Sequence, residues 1–502
     1  MTFVVLIRAA ASKGTAHNGD ASLFALRRNY CMKRIVFLLT LSLILAGASF
    51  AGVLDTPHLE SGLQIRIDNR YWDVLPQIVP ADQESTVSFV PLFDHVKLID
   101  NAVYELTYTP MEFEPIQGGP KAGTKTVITP EDGRISITML FEEEQEHDFI
   151  LNRTLDGKTN QVGRFRIYSL KSDLYGMRPY KGDFHQHSNR SDGVESPAYV
   201  AGACRRVGLD WTALSDHHFR GGSIEARDFF ADLPIDLRLY PGEECHSPGN
   251  PVHILSFGAN EGITEQWKDD LREVYDQEVA EIQEGLSDVP EGMDKFHYAA
   301  CIWVSKKIAE FNGLSMLCHP YWVTGNRYNV DERLLNHIFA TRIFDAYELI
   351  SGFSWDSLNN LDVNGIQVAR YVEECAKGNR MPVCGIADTH GHERSDQFGR
   401  YYTLVIAPTT DLSDIIEGIR DYRSVAVETP KGELARAYGP FRIVKFAKYL
   451  LREVLPQHDE LCFEEGRLMI QYASGDESAL PRLAQLQGQI ARFYDKVYSP
   501  VN

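Results

Sequence analysis

The stretch Asp183-Phe184-His185-Gln186-His187, just ahead of Ser191-Asp192-Gly193, decides how this chain is read. Side chains alternate along a strand with a period of two, so His185 and His187 at a strand end point the same way. Two imidazoles on one face can chelate one metal ion. Further candidate ligands recur downstream: Asp216-His217-His218, Glu243-Glu244, His253, His319 and Asp388-Thr389-His390. So many His and carboxylate groups at strand ends predict a site of more than one ion, and such a site points to hydrolysis.

Around this stretch, strand patterns at 182–185, 211–214, 237–240 and 252–257 alternate with helical ones such as 197–207, and strands return at 315–318, 346–350, 383–386 and 402–406. That alternation predicts α/β architecture with βα units and a parallel sheet or barrel. The candidate ligands fall at the C-terminal ends of these strands, the face that carries the active site of a β/α barrel. A charged helical insertion at 260–312, with helices at 265–284 and 298–311, reads either as a lid or as a solvated helix pair. Beyond about 410 the pattern is mostly helical: 414–422 reads as a closing helix and 431–502 as a helical tail. Residues 52–178 differ. Runs at 63–67, 86–90, 104–108 and 134–139 alternate apolar and polar between Gly/Pro/Asp turns, predicting a small antiparallel β-sandwich that serves as support or as a glycan contact.

The N-terminus is read apart from the fold. Met32-Lys33-Arg34, an apolar run from Ile35 to Ala46 and the small-residue ending Ala48-Ser49-Phe50-Ala51 have the layout of a secretory signal peptide, with cleavage near Ala51. Residues 1–31 form an upstream extension. The apolar run falls short of the roughly 20 residues that span a bilayer, so the mature chain is expected to have no transmembrane span and to be periplasmic or secreted. Beyond residue 51 the cysteines are Cys204, Cys245, Cys301, Cys318, Cys375, Cys384 and Cys462, an odd number without framework spacing. Several lie in apolar runs and are read as buried free thiols. Residues 1–51 carry six Lys/Arg and one Asp, a net of +5, so the remainder carries −25 against −20 for the whole chain. A surface this acidic repels polyanions and argues against nucleic acid as a partner. The chain contains no Walker A loop, dinucleotide fingerprint, nucleophile elbow or Cys-x-x-Cys pair.

Taken in order, His185-x-His187, Ser191-Asp192-Gly193, Ser215-Asp216-His217, Gly242-Glu243-Glu244, His253, His319-Pro320 and Asp388-x-His390 resemble the motif series of the PHP family, the polymerase and histidinol phosphatase metallohydrolases. The resemblance covers roughly residues 180–425. With the leader, the β region and Tyr180-Lys181-Gly182-Asp183-Phe184-His185, the chain is most similar to exported PHP proteins of the CehA/McbA type. The resemblance implies a distorted (βα)7 TIM-like barrel at 179–430 that holds two or three divalent ions, Zn, Mn or Fe. By motif, His185 and His187 would bind the first ion with Glu244 and Asp388. Glu244 would bridge to a second, held also by His253 and His319, and Asp192, His217 and His390 would complete a third site. The Gly-x-Glu spacing selects Glu244 over Glu243, and the Asp-His order selects His217 over His218. His218 stands where the family commonly has an acidic residue.

Imidazole with carboxylate suits Zn, Mn or Fe over Ca, which prefers all-oxygen shells. The expected activity is attack of metal-activated water on a small phosphomonoester or phosphodiester, with Asp192 or His217 passing a proton and Arg190 clamping the substrate anion. Arg190 reads equally as a solvent-facing side chain, and Tyr321 and His392 are candidates on the same footing. Asp216 reads as a structural acceptor and Glu348 as a structural ion pair or a group at the barrel mouth. Two alternatives stand beside the phosphoesterase: a carbamate or ester hydrolase using the same site, and a non-catalytic glycan- or surface-binding protein.

Overall fold

Strand Val103–Pro110 buries Tyr104, Leu106 and Tyr108 and leaves the intervening residues less covered, the period of two expected of a half-buried strand. It belongs to a computed structural model that describes residues 60–352 and 358–499. The upstream extension and signal segment expected at 1–51 lie outside the described residues.

Two sheets precede residue 171. One pairs Trp72–Leu75, Gln83–Pro91 and Ile135–Phe141, all antiparallel. The other runs in the order Ile78–Pro80, Lys158–Leu170, Gln145–Leu155, Val103–Pro110 and Thr124–Ile128, with the first pair parallel and the rest antiparallel. Both contribute to one apolar cluster, in which Phe89 of the first sheet stacks on Phe165 of the second at 4.5 Å. His147 is buried at the edge of this cluster. Ser169 Oγ lies 2.6 Å from the Glu143 carbonyl, to which it donates, so it accepts from His147 Nε2 at 2.8 Å, and Nδ1 accepts from the Tyr108 hydroxyl at 2.8 Å. The network therefore calls for a neutral ring.

From Arg178 the strands form two sheets, with Arg178–Asp183 and Trp211–Thr212 in one and Gly242–Cys245 to Val383–Ile386 in the other, whose ends two bridges link into a ring. In spatial order it contains Arg178–Asp183, Trp211–Thr212, Gly242–Cys245, Ile254–Phe257, Leu314–Leu317, Ala346–Ser351 and Val383–Ile386. Two isolated parallel bridges, His217↔Glu244 and Gln186↔Thr389, fasten it at one rim. The architecture is mixed α/β, but not every strand is parallel as the alternation predicted. Ile254–Phe257 is antiparallel to both neighbours. The reason is loop length: residues 246–253 are too few for a parallel crossover, which needs about a dozen or more. His253 therefore enters the rim at the N-terminal end of its strand, a correction to the expectation that every ligand follows a strand. Tyr401–Ala407 is likewise antiparallel, to Arg178–Asp183 and to Ser424–Glu428. Ser424–Glu428 and Arg436–Tyr438 are strands in a region expected to be mostly helical. Ser424–Glu428 is buried throughout, so tertiary contacts decide its conformation.

The segment 260–312 contains helices Arg272–Glu284 and Lys295–Glu310. The second buries Tyr298, Cys301, Trp303, Val304 and Ile308 in the same cluster as Ile254, Leu317 and Tyr347. It is thus part of the core and not a solvated helix. The helices beyond residue 440 are equally integrated. Leu455–Ala473 crosses Pro197–Arg206 so closely that a Cβ on Gly466 would lie 2.1 Å from the backbone nitrogen of Arg206. At that crossing Lys181 Nζ donates to both carboxylate oxygens of Asp459 at 2.9 Å, Arg205 donates to Glu465 at 2.8 and 3.0 Å, and His458 Nε2 meets Asp210 Oδ1 at 2.8 Å. The β region, the ring and these helices belong to one compact unit. The cysteines from Cys204 to Cys462 are free, and all but the partly covered Cys375 are buried. Among the described residues, no helix is long and apolar enough to cross a membrane.

Two expectations follow. Lys181 is fully buried and Asp459 nearly so, so Lys181→Met leaves a buried carboxylate short of its cation and costs about 3–5 kcal/mol in chemical denaturation. The double variant Lys181→Met/Asp459→Leu recovers most of that loss. Burial pushes the His147 imidazole down to about 3 in the folded state. Its contribution is present above the unfolded value of about 6.5 and is lost as pH falls below it, by about 1.4 kcal/mol per pH unit. Between pH 7 and pH 5, His147→Gln should therefore lose about 2 kcal/mol less stability than the parent chain.

Candidate metal centre

Asp183 closes the first strand of the ring. Its buried carboxylate accepts from the backbone of His185 at 3.0 Å and of Ala387 at 2.9 Å, and from the side chain of Gln186. This ties the His185-x-His187 pair to the strand that precedes Asp388. The His187 N–H donates to the Thr389 carbonyl at 2.9 Å, completing the junction. Ser191-Asp192-Gly193 is a tight turn. Gly193 N donates to Ser188 O at 2.9 Å. Asp216 holds the turn by accepting from Ser188 N, Ser188 Oγ and Ser191 Oγ, each at 2.8 Å. Asp216 is thus the structural acceptor that the sequence suggested. A Cβ on Gly193 would lie 2.5 Å from the His187 carbonyl oxygen, so the turn can pack here only with glycine. Asp388 (φ 47°) and His218 (φ 54°) both adopt the left-handed conformation, disfavoured for residues other than glycine.

Glu244, 1% exposed, stands at the centre of the cluster. Its Oε2 is 3.1 Å from His185 Nε2, 3.4 Å from His187 Nε2 and 2.9 Å from His217 Nδ1. Its Oε1 is 2.9 Å from His253 Nδ1, 3.4 Å from His246 Nε2 and 3.5 Å from His319 Nε2. Asp388 Oδ1 faces His185 Nε2 at 3.3 Å and His187 Nε2 at 3.2 Å, and its Oδ2 lies 3.8 Å from His319 Nε2. Asp192, 57% exposed at the outer lip, lies 3.4 Å from His390 Nε2, 3.5 Å from His217 Nε2 and 3.8 Å from His187 Nδ1. The nine residues expected as metal ligands thus share one cluster. Arg190 does not enter it: its guanidinium pairs with Glu225 at 2.8 and 2.9 Å on the surface.

Two members were not read as ligands from sequence. His246 is one, although Glu244-x-His246 has the same spacing as His185-x-His187. Glu348 is the other. It is fully buried, and its Oε2 lies 3.2 Å from His185 Nδ1, fixing the ring whose Nε2 faces Glu244. His392 bridges Gln186 at 2.8 Å and Glu195 at 3.2 Å and supports the cluster from behind. Tyr321 donates to Glu332 at 3.3 Å.

Burial opposes charge on every one of these groups, and the outcome depends on the neighbours. Against burial, His185, His217 and His253 hold Glu244 well below the usual carboxylate range. Against burial, His185, His187 and His390 lower Asp388. Burial and the neighbouring His390 push His187 down to about 3, and burial takes His253 to about 4. Against burial, Glu244 and Asp192 raise His217 to about 10. His187 and His253 are thereby held neutral, the form that binds a metal ion beside ionised carboxylates, whereas His217 carries a proton that an arriving ion would displace. The hydrogen-bond geometry agrees. His187 Nε2, His217 Nδ1, His246 Nε2, His253 Nδ1 and Glu244 Oε1 are buried without a hydrogen-bond partner, though each has a complementary atom within about 3.5 Å. They are aimed past one another at common points, as ligands are. The donor atoms group as His185, His187 and Glu244; as His187, Asp192, His217 and His390; and as His217, Glu244 and His246. The residues present therefore fit divalent ions.

Several solved structures match the chain at low identity. They include a two-domain protein from Bacteroides vulgatus containing a predicted PHP-like metal-dependent phosphoesterase, 17% identical over 50% of this chain and 66% of that one, with a TM-score of 0.35. A proposed metal-dependent phosphoesterase from Bifidobacterium adolescentis is 17% identical over 42% of this chain and 88% of that one, with a TM-score of 0.28. An amidohydrolase from Chromobacterium violaceum, with bound sulfate and no metal, is 18% identical over 43% and 89%, also with a TM-score of 0.28. The chain spans just under two thirds of the first of these. No family model and no curated protein matches it.

Gly193→Ala is expected to force the Asp192 turn off the His187 backbone at a cost of about 1–3 kcal/mol. Denaturation would record that cost, and elemental analysis would record fewer ions per chain than in the parent.

Proposed function

We propose that this chain is an exported metal-dependent hydrolase of the PHP type, a phosphoesterase acting on a small ester substrate at a site of two or three divalent ions. The observation that carries the reading is Glu244, whose two carboxylate oxygens each face imidazole nitrogens, three on Oε2 and three on Oε1. A carboxylate so flanked would serve two cations at once. Export rests on the layout of residues 32–51.

Bound divalent ions supply electrostatic stabilisation of substrate oxygens and a water acidified enough to attack at neutral pH. Toward them, His185, His187, Glu244 and Asp388 would serve one side and Glu244, His253 and His319 the other, with Asp192, His217 and His390 at the outer lip. Glu348 keeps the His185 ring in register by accepting at Nδ1. The inner groups are closed off from solvent, whereas His217 is 23% and Asp192 57% exposed. Of these two, His217 is the one that carries a proton to hand to a departing alkoxide, because against burial His217 and His390 hold Asp192 well below the usual carboxylate range. Arg190 stands on the loop beside them, tied to Glu225, and would have to exchange that partner to reach a substrate anion.

The reading is tested on purified protein supplied with Mn or Zn. Metal content per chain is measured alongside hydrolysis of p-nitrophenyl phosphate, its bis-ester and an aryl carbamate. Two or three ions per chain are expected, with phosphoester turnover falling at least about 100-fold in His185→Ala, since losing an ion removes several kcal/mol of charge stabilisation. Carbamate turnover alone would move the assignment to carbonyl chemistry. Absence of both bound metal and turnover would refute the enzyme reading.

A further inference from the structure

His246 lies outside the ligand set that the sequence motifs imply. It follows strand Gly242–Cys245, two residues beyond Glu244, so both side chains leave the same face. Its Nε2 is 3.4 Å from Glu244 Oε1, the oxygen that also faces His253 Nδ1 and His319 Nε2. Its ring stacks on His253 with centroids 3.7 Å apart and planes 19° from parallel, and meets His217 edge-on at 4.8 Å. Both His246 Nε2 and His253 Nδ1 are buried without a hydrogen-bond partner. Leaving such a group unsatisfied costs about 1–3 kcal/mol. Two stacked imidazoles aiming orphaned nitrogens at one orphaned carboxylate oxygen are hard to explain as packing, because apolar rings would fill the same space without that penalty.

We propose that His246 is a ligand of the divalent ion on the Oε1 side of Glu244, together with His253 and His319. The proposal rests on the metal-dependent reading above. It makes the two sides of Glu244 chemically unequal. The Oε1 side offers three imidazoles and one carboxylate oxygen, a set that suits Zn over Mg, Ca or Mn. The Oε2 side, where His185, His187 and His217 face Glu244 and Asp388 adds a second carboxylate, is richer in anionic oxygen and the more tolerant of Mn or Fe. The chain is thereby inferred to hold one ion as a zinc-selective seat beside a less discriminating one.

The test uses the full chain, stripped with a chelator and titrated with Zn against a chromophoric competitor, with ions per chain counted by elemental analysis and without reference to turnover. Wild type is expected to hold one Zn markedly more tightly than the rest. His246→Ala should weaken that ion at least about tenfold, since even groups that only orient ligands change affinity 10- to 100-fold, while the remaining ions titrate as before. His246→Asp, which restores an anionic ligand, should recover most of the affinity, and His246→Gln should not. Unchanged Zn affinity in His246→Ala, or equal loss in His246→Asp and His246→Gln, would overturn the assignment of His246 while leaving the hydrolase reading intact. A wild-type chain that binds no ion would overturn both.

Discussion

Glu244 brings one buried carboxylate within 3.5 Å of nitrogen atoms from six imidazoles, and the rim of the ring is arranged around that convergence. A carboxylate almost fully withdrawn from water carries a desolvation penalty of several kcal/mol, which positive charge beside it, on a protonated ring such as His217 or on a bound ion, must offset. The imidazoles come from stretches as far apart as His185 and His319, so the strands must deliver them to one place. The departures from a regular parallel ring serve this delivery. The short turn before His253 reverses a strand so that its leading end, and not its trailing end, reaches Glu244. The left-handed backbone at Asp388 and His218 lets the chain bend where a regular strand would have carried the next side chain away.

What could be read from the sequence follows from how local each signal is. The His185-x-His187 pair and the choice of Glu244 over Glu243 depend only on strand periodicity and motif spacing, and the structure brings them together. The role of Asp216 was legible for a similar reason, since it sits one residue before a ligand and grips a turn close by in sequence. Strand direction was not legible, because it depends on whether a connection is long enough to cross over, and with Gly242–Cys245 not read as a strand the brevity of the Ser247-Pro248-Gly249-Asn250-Pro251 turn had no meaning. His246 was visible as Glu-x-His but lay outside any familiar motif. Glu348 looked ordinary because its meaning comes from His185, 163 residues away. Ser424–Glu428 reads as strand only once its burial on both faces is known.

The helices beyond residue 440 show the same limit on a larger scale. Their amphipathic pattern announces helix but not the partner. The partner is the outside of the ring, where Lys181, Arg205 and Asp210 meet Asp459, Glu465 and His458 with almost no exposure. Lys181 lies on the strand that ends at Asp183 and the histidine pair. The same short stretch thus carries a structural cation on its outer side and metal-type ligands at its end, and the C-terminal helices brace the strand that presents them.

The two bridges that fasten the ring, His217↔Glu244 and Gln186↔Thr389, lie within or beside the ligand cluster. The contact that accompanies the second, Ala387 to Asp183, joins residues 204 positions apart. Long-range closure of this kind comes late, because loop entropy must be overcome before such contacts reward it. A chain still open at that seam has separate histidines but no gathered pocket, and the pocket arises only when strand Val383–Ile386 docks. Any affinity of the cluster for an ion is therefore linked to completion of the fold, so an ion bound there would favour the closed chain over one still open at the seam.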